Sequence, residues 1–480
     1  MFNQSLESGT FPSLWKHAVV TPILKKEKSD TLKCSSYRPI SNLPVLSKLI
    51  EKVVCAQLRS YVESESLLSP FQSAYRPLHS TETAVLKITT DIFNALDDGK
   101  ISLCSFLDHS SAFETVDHLY LIQKLESSYG ISGSALRWLH SFVTDRSMSV
   151  RLKSDISLKT AVDSGVPQGS VLGPLLFTLY VSGIANVVKK HNFNIHLYAD
   201  DVQIYASCAP SDSSNLSSRL HQCLDDVIEW FNSHRLLLNT DKSEIIWCSS
   251  RAKKLSLPTE SISVGSSLVS PAASVRVLGV HFDPHLSFDV HISRCLSSCF
   301  SALRQIRSVK RSLSRPILIS VVRSLVISRL DYCISVLSGV TKRQLQRLQS
   351  VLNASARLIF SSTRFSHVSQ HLKVLQFLPV KYRIEYRLSV LAHNCLHDRA
   401  PSYLSSDFHL LSNCPSRRRL RSSSSSLVLQ PRSRHPTLGG RAFPVAAAKV
   451  WNSLPPHLAS IVNISDFKDE ALKYFLQRSF

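Results

Sequence analysis

Acid is scarce in this chain: 35 Asp and Glu stand against 56 Lys and Arg, a formal net charge of +21 over 480 residues. A field of that sign draws polyanions and makes their binding salt-dependent, without separating RNA from DNA. A secretory signal is lacking too, since Met1 to Leu24 has no cationic start followed by an apolar core. The eleven cysteines are odd in number and scattered, which gives no disulfide framework and fits a reducing compartment, cytoplasmic or nuclear. Cys295 and Cys299 lie one helical turn apart with no His or Cys pair at metal spacing, which argues against a zinc knuckle. Residues 171–188 carry no charge, but Gly173, Pro174, Ser182, Gly183 and Asn186 interrupt them, so a buried helix is expected and no membrane partner. The length allows two or three domains with ample core.

What the chain does have is Tyr198-Ala199-Asp200-Asp201 between two short alternating apolar runs, Ile195 and Leu197 before it, Val202 and Ile204 after. The period of two predicts strand, tight turn, strand, with both carboxylates near the tip. Paired acids there suit a hard divalent cation, although Asp also populates turns for purely local reasons. A third acid stands in matching context: residues 101–107 read as a strand and Asp108 closes it. Carboxylates so far apart in sequence meet only if their strands are neighbours in one sheet, which is how a two-metal site is assembled. Between them, Ser164-Gly165-Val166-Pro167-Gln168-Gly169-Ser170 places glycines on both sides of Pro167-Gln168, freeing the backbone to approach a ligand.

These pieces stand in a longer series. Gly9 to Pro12 and Val19 to Lys26 come first, then Tyr37-Arg38-Pro39-Ile40-Ser41-Asn42-Leu43, Gln72-Ser73-Ala74-Tyr75-Arg76 and His79 to Glu82. Asp108 to Phe113, the Pro167-Gln168-Gly169 turn, the Tyr198 to Asp201 hairpin, Leu238-Asn239 with Asp241-Lys242, and Leu278-Gly279-Val280 follow. In that order they resemble the reverse transcriptase of LINE-type non-LTR retrotransposons, along nearly the whole chain.

The resemblance implies an α+β right-hand polymerase with an antiparallel catalytic sheet. Fingers fall at 1–99 and the palm with its primer grip at 100–284, the reverse transcriptase domain covering about 10–284. A helical thumb and connection follow at 285–400, then a basic C-terminal extension at 401–480. Implied with it is RNA-directed DNA polymerisation: an RNA template, a DNA primer and deoxynucleoside triphosphates, with two Mg²⁺ (or Mn²⁺) ions on Asp108, Asp200 and Asp201. Phe113 matches the steric gate against a ribose 2′-hydroxyl, its plain alternative being a core Phe. Arg76 matches the fingers arginine on the triphosphate, Lys242 a general acid for the pyrophosphate leaving group, and Gln168 and Gly169 support nucleotide and template. Lys25 and Lys26 stand as template-phosphate contacts or as a solvated pair.

Two departures from the family pattern are Glu114 in place of Asp and Leu78 in place of a fingers-turn Gly, the latter giving up easy access to positive φ. An endonuclease that normally precedes the polymerase is expected to come from elsewhere, and the alternative function is a truncated, inactive remnant that still binds RNA or primer-template duplex.

Downstream, no acid occurs between Val290 and Leu330, and Arg304, Arg307, Arg311 and Arg315 recur at helical spacing opposite Ala302, Leu303, Ile306, Val309 and Leu313. One thumb helix with a cationic face on a duplex is expected. A second acid-free stretch, Phe408 to Ser465, holds Arg417-Arg418-Arg419, Arg421, Arg432, Arg434 and Arg441 around Ser422 to Ser426, and reads as a flexible basic linker that orders on RNA or stays disordered. Ala446 to Leu454 and a helix over Phe467 to Leu476 read as a small packed end, and Lys449 to Pro455 resembles the tail of related LINE proteins.

Overall fold

A computed structural model of the chain describes residues 1–25, 30–110, 113–251, 257–363, 365–413 and 426–480. Lys26 and the Arg417 to Ser425 run lie outside the described residues.

Nine strands set the frame: β1 (His17–Leu24), β2 (Tyr37–Asn42), β3 (Ile101–Ser110), β4 (Arg146–Leu152), β5 (Asp155–Ile156), β6 (Thr160–Val162), β7 (Asn194–Tyr198), β8 (Asp201–Cys208) and β9 (Leu237–Cys248). The central sheet runs β7-β8-β3-β9, every pairing antiparallel. Strand alternation puts Ile101, Leu103 and Leu107 of β3 with Val202 and Ile204 of β8 into one core, and Cys104 with Tyr205 into another. Both faces are covered, so the sheet is held rigidly at the edge where the acids lie. A second sheet orders β2-β1-β4, with β5 and β6 on β4. Here β1 and β4 pair in parallel, which their long sequence separation permits. Residues 146–162, read from sequence as palm, thus extend the sheet of the fingers strands.

Of the helices around these sheets, ten matter here: α1 (Val45–Ser64), α2 (Thr81–Asp97), α3 (Gly173–Val181), α4 (Asp289–Val309), α5 (Arg315–Val322), α6 (Lys342–Phe360), α7 (Val380–Leu396), α8 (Ser402–Ser405), α9 (Phe443–Trp451) and α10 (Ile464–Ser479). α3 is buried along nearly its whole length, so the charge-free segment is a core helix. Among the described residues no helix is long and apolar enough to cross a membrane, and every cysteine is a free thiol. α2 starts on a reciprocal capping box between Ser80 and Thr83. Its buried Glu82 accepts from Ser335 Oγ at 2.6 Å and from Arg387 Nε of α7 at 2.7 Å, tying α2 to the helices beyond the palm.

The thumb differs from its sequence reading. Arg304 and Arg307 lie exposed on α4, but α4 ends at Val309, Arg311 falls in a 3₁₀ turn, and Arg315 opens α5. Leu313 and Ser314 are extended and separate the two helices, and Pro316 falls in the first turn of α5, where its missing N–H is tolerated. The Arg315 guanidinium sits 4.1 Å from the centre of the Phe360 ring, a cation–π contact in place of a free phosphate-facing charge.

The C-terminal extension differs as well. Composition predicted a flexible linker, yet the described part, 426–445, is held by partly buried hydrogen bonds. Asp97 at the end of α2 accepts from the backbone N–H of Arg434 and His435 at 2.7 and 2.6 Å, and Asn452 brackets the backbone of Val428. Those donors hold the Asp97 carboxyl below the usual range although burial pushes it up. Arg441 lies half-buried over the Phe93 and Phe288 rings and donates to Ser338 O. α9 and α10 close on α7 through Trp451, Phe467 and Phe475, inside the same core as α2 and the thumb helices. The packed end is therefore part of the main body, and Arg441 supports the fold instead of meeting RNA.

Leu78, expected to resist positive φ, adopts φ 65° with its side chain more than half exposed. A β-carbon in that region costs about 1–2 kcal/mol, and glycine's extra freedom in the unfolded chain returns part of it. Leu78→Gly is expected to raise stability by about 0.5–1 kcal/mol, read as a higher urea midpoint at unchanged slope.

Candidate active site

β7 and β8 are joined by two residues, with Tyr198 paired to Asp201 and the turn made by Ala199 and Asp200. Ala199 takes φ 56°, strain that locates the carboxylates at the hairpin tip. Val202 of β8 pairs with Leu107 of β3, so one further step places Asp108 opposite Asp201. The three acids expected to converge do so at one edge of one sheet.

Their electrostatics agree. Burial, then Asp200, then Asp108 push the Asp201 carboxyl up to about 7. Asp200 is raised by burial and by Asp108, against the pull of Arg38 and Lys242. Nearby like charges out of water favour protonation, or a cation that takes the proton's place. Among the described residues no three His, Cys, Asp or Glu side chains already stand in ligating geometry. Asp108 is instead engaged by Lys242, Nζ to Oδ2 3.1 Å. The donor set is nonetheless all carboxylate oxygen, the chemistry hard divalent cations select.

Lys242 reaches Asp108 through a bulge. Phe106 pairs with Glu244 and Asp108 with Asn239, so Leu107 alone on β3 faces residues 240–243 on β9. The sequence reading made Lys242 a general acid; here its ammonium forms an ion pair with the metal-ligand candidate Asp108.

Phe113 lies half-buried, its ring 4.9 Å from that of Phe177 on α3, and its backbone oxygen accepts from Val166 N at 2.8 Å. The Pro167-Gln168 loop makes close backbone approaches to its own neighbours. A β-carbon on Gly165 would lie 2.6 Å from Glu114 O, and one on Gly169 2.6 Å from Ser41 O. Ser41 N donates to Gln168 O at 2.8 Å, locking the loop onto β2, while Gln168 Oε1 is buried with no partner among the described residues. A cleft of about 330 Å³ opens beside it, bounded by Glu114, Arg146, Met148 and Gly165. Glu114, the first departure from the family pattern, has its carboxyl raised by burial, lowered by Lys25 and raised by Asp200, so Lys25 and Glu114 belong to the rim of the site.

Arg76 is not free for a triphosphate. Glu63 holds it bidentately, Nε to Oε1 2.9 Å and Nη2 to Oε2 2.7 Å, and Nη1 donates to Ser69 O. A ligand would have to displace that carboxylate. Three neighbours escaped the sequence reading. Tyr75, at φ 60° and exposed, is raised by burial and by Asp200 and Tyr198, Arg38 draws on Asp200, and Arg276 draws on Asp201. The motifs around Tyr75 and Arg38 were visible, whereas nothing near Arg276 announced it.

The profile of the family described as reverse transcriptase (RNA-dependent DNA polymerase) matches residues 23–282, more than half of the chain and all three acids. The chain belongs to the reverse transcriptase family. Within it, this reverse transcriptase is 30% identical over 313 residues to a probable RNA-directed DNA polymerase from transposon BS of Drosophila melanogaster, covering 64% of this chain and 34% of the relative. It is 25% identical over 367 residues to the RNA-directed DNA polymerase from mobile element jockey of the same organism, covering 75% of this chain and 39% of the relative. It therefore spans little more than a third of the length of these relatives, which are of the LINE-type non-LTR kind expected from sequence. Among solved structures, apo telomerase from Candida tropicalis aligns over 82% of this chain and 67% of that chain at 12% identity and a TM-score of 0.42, a likeness too slight to carry weight.

Proposed function

We propose that this chain is an RNA-directed DNA polymerase that extends a DNA primer on an RNA template with deoxynucleoside triphosphates. The observation that carries the reading is the register of β3 against β8, which brings Asp108 to the Asp200-Asp201 tip inside a matched reverse transcriptase region. Asp108, Asp200 and Asp201 would hold two Mg²⁺ ions, or Mn²⁺, which when bound supply Lewis-acid activation of the primer hydroxyl and neutralise the triphosphate.

The chain's own groups do the rest. Phe113, braced by Phe177, presents an apolar edge where a ribose 2′-hydroxyl would find no hydrogen-bond partner. Gln168, fixed through Ser41, and the Glu114 rim shape the cleft for nucleotide and template base. Lys242 screens Asp108 until a cation displaces it, and Arg38 offers a guanidinium on the Asp200 side for phosphate. Arg304, Arg307 and Arg311, exposed beyond the palm, supply phosphate contacts along the product duplex, and Lys25 serves the template strand.

Purified chain given poly(rA), oligo(dT), Mg²⁺ and dTTP is expected to lengthen the primer, with omission of Mg²⁺ stopping it. Folded protein that retains primer-template in gel shifts yet adds no nucleotide would assign it the binding-only role.

A further inference from the structure

Beneath the catalytic hairpin lies a buried polar layer that polymerisation chemistry does not call for. His196 of β7 is fully buried and pairs across the hairpin with Gln203, two register steps below Tyr198 and Asp201. Its Nε2 is 2.9 Å from Ser73 Oγ, and Ser73 Oγ is 2.8 Å from the hydroxyl of Tyr403. Tyr403 stands on α8, beyond the thumb, more than three hundred residues along the chain from Ser73. Its hydroxyl also reaches Thr83 Oγ1 at 3.1 Å, and its ring meets His196 and His79 edge-on.

Donor counting fixes the direction of this chain of hydrogen bonds. Thr83 spends its proton on Ser80 O at 2.9 Å, so it accepts from Tyr403. Tyr403, having donated, accepts from Ser73, and Ser73 in turn accepts from a protonated Nε2 of His196. His196 Nδ1 is then left without a proton, and among the described residues it has no partner. Burial keeps the imidazole neutral, its pKa lowered to about 3, and burial raises the Tyr403 phenol to about 12, so neither end ionises near neutrality.

The segment this layer holds is the one that faces the site. Leu197 N donates to Phe71 O at 2.8 Å and Ser73 N to Leu197 O at 2.9 Å, which stitches residues 71–73 alongside β7. Tyr75, two residues on, is the neighbour of Asp200 and Tyr198. We infer that Tyr403 is a positioning residue for nucleotide addition: through Ser73 and His196 it sets the Gln72–Arg76 turn against the catalytic hairpin, which makes the post-thumb segment a working part of the polymerase site. The inference rests on the polymerase reading for its kinetic consequence and on geometry alone for the coupling.

Tyr403→Phe keeps the ring and removes one hydroxyl. In primer extension by the full chain it is expected to raise KM for dTTP about fivefold with kcat within about twofold of the parent. Hydrogen exchange should quicken at the amides of residues 71–76 and 194–198 while α6 keeps its protection. Parent-like KM and exchange would overturn the inference, as would a fall in kcat alone with exchange faster everywhere, the mark of general loosening. If the parent chain itself adds no nucleotide, the polymerase reading fails and the exchange comparison alone decides the coupling. Should Tyr403→Phe not fold, Ser73→Ala cuts the same link from the other side under the same readouts.

Discussion

Asp200→Asn is expected to lower primer extension by on the order of 10³-fold or more while leaving the protein as stable as the parent, or more so, at pH 8. The substitution keeps size and hydrogen-bonding capacity and removes one charge from a tip that already carries too many. Without divalent cation the site is under electrostatic load: Asp201 titrates near 7 in the folded chain because of burial, Asp200 and Asp108. Below about pH 3 the folded and unfolded carboxyls are both largely protonated and almost no penalty arises. As pH rises from there to about 7 the unfolded chain loses the proton that the folded chain keeps, so stability declines across that window and the full penalty stands above it. Removing the Asp200 charge lets Asp201 titrate lower, which flattens the decline. In EDTA the variant should exceed the parent by about 1–2 kcal/mol at pH 8 and match it near about pH 3, as thermal melts at both pH values would report. A variant that is inactive because it is unfolded at pH 8 would contradict the assignment.

Phe113→Ala is expected to admit ribonucleotides, with the ratio of dTTP to UTP incorporation efficiency falling on the order of 10²-fold. The backbone there is pinned by the Val166 hydrogen bond and the following Gly165 approach to Glu114, so truncating the ring opens space without moving its neighbours. A Phe that merely fills the core against Phe177 would instead cost stability and leave the sugar ratio where it was. Incorporation assays with matched dTTP and UTP series separate the two.

The hairpin and its third acid were legible because each rests on a local pattern: period-two alternation around Tyr198 to Asp201, and an acid at the end of residues 101–107. What escaped depends on contacts between distant segments. The bulge over 240–243 that turns Lys242 onto Asp108 has no sequence signature, and a lysine alone does not reveal the carboxylate it meets. Arg76 read as free because its partner Glu63 lies on α1, and only the tertiary structure puts the two together. The four spaced arginines looked like one helix face because their spacing is regular, whereas the chain leaves the helix between Lys310 and Ser314 and so divides them. The segment around Arg434 looked unpackable because its stabilising acceptor, Asp97, belongs to another helix. Leu78 shows the opposite limit: propensity named the strain correctly, and the surrounding turn imposed it regardless.

The most direct test is calorimetric uptake of Mn²⁺ or Mg²⁺ at pH 7.5 by the parent chain and by Asp108→Asn, whose substituted residue lies far from the hairpin in sequence and opposite Asp201 in register. The parent should bind the cation, and Asp108→Asn and Asp200→Asn should each weaken that binding at least tenfold while remaining folded. Uptake unchanged by Asp108→Asn would mean that β3 contributes nothing to the cation site, and the three carboxylates would not be one centre.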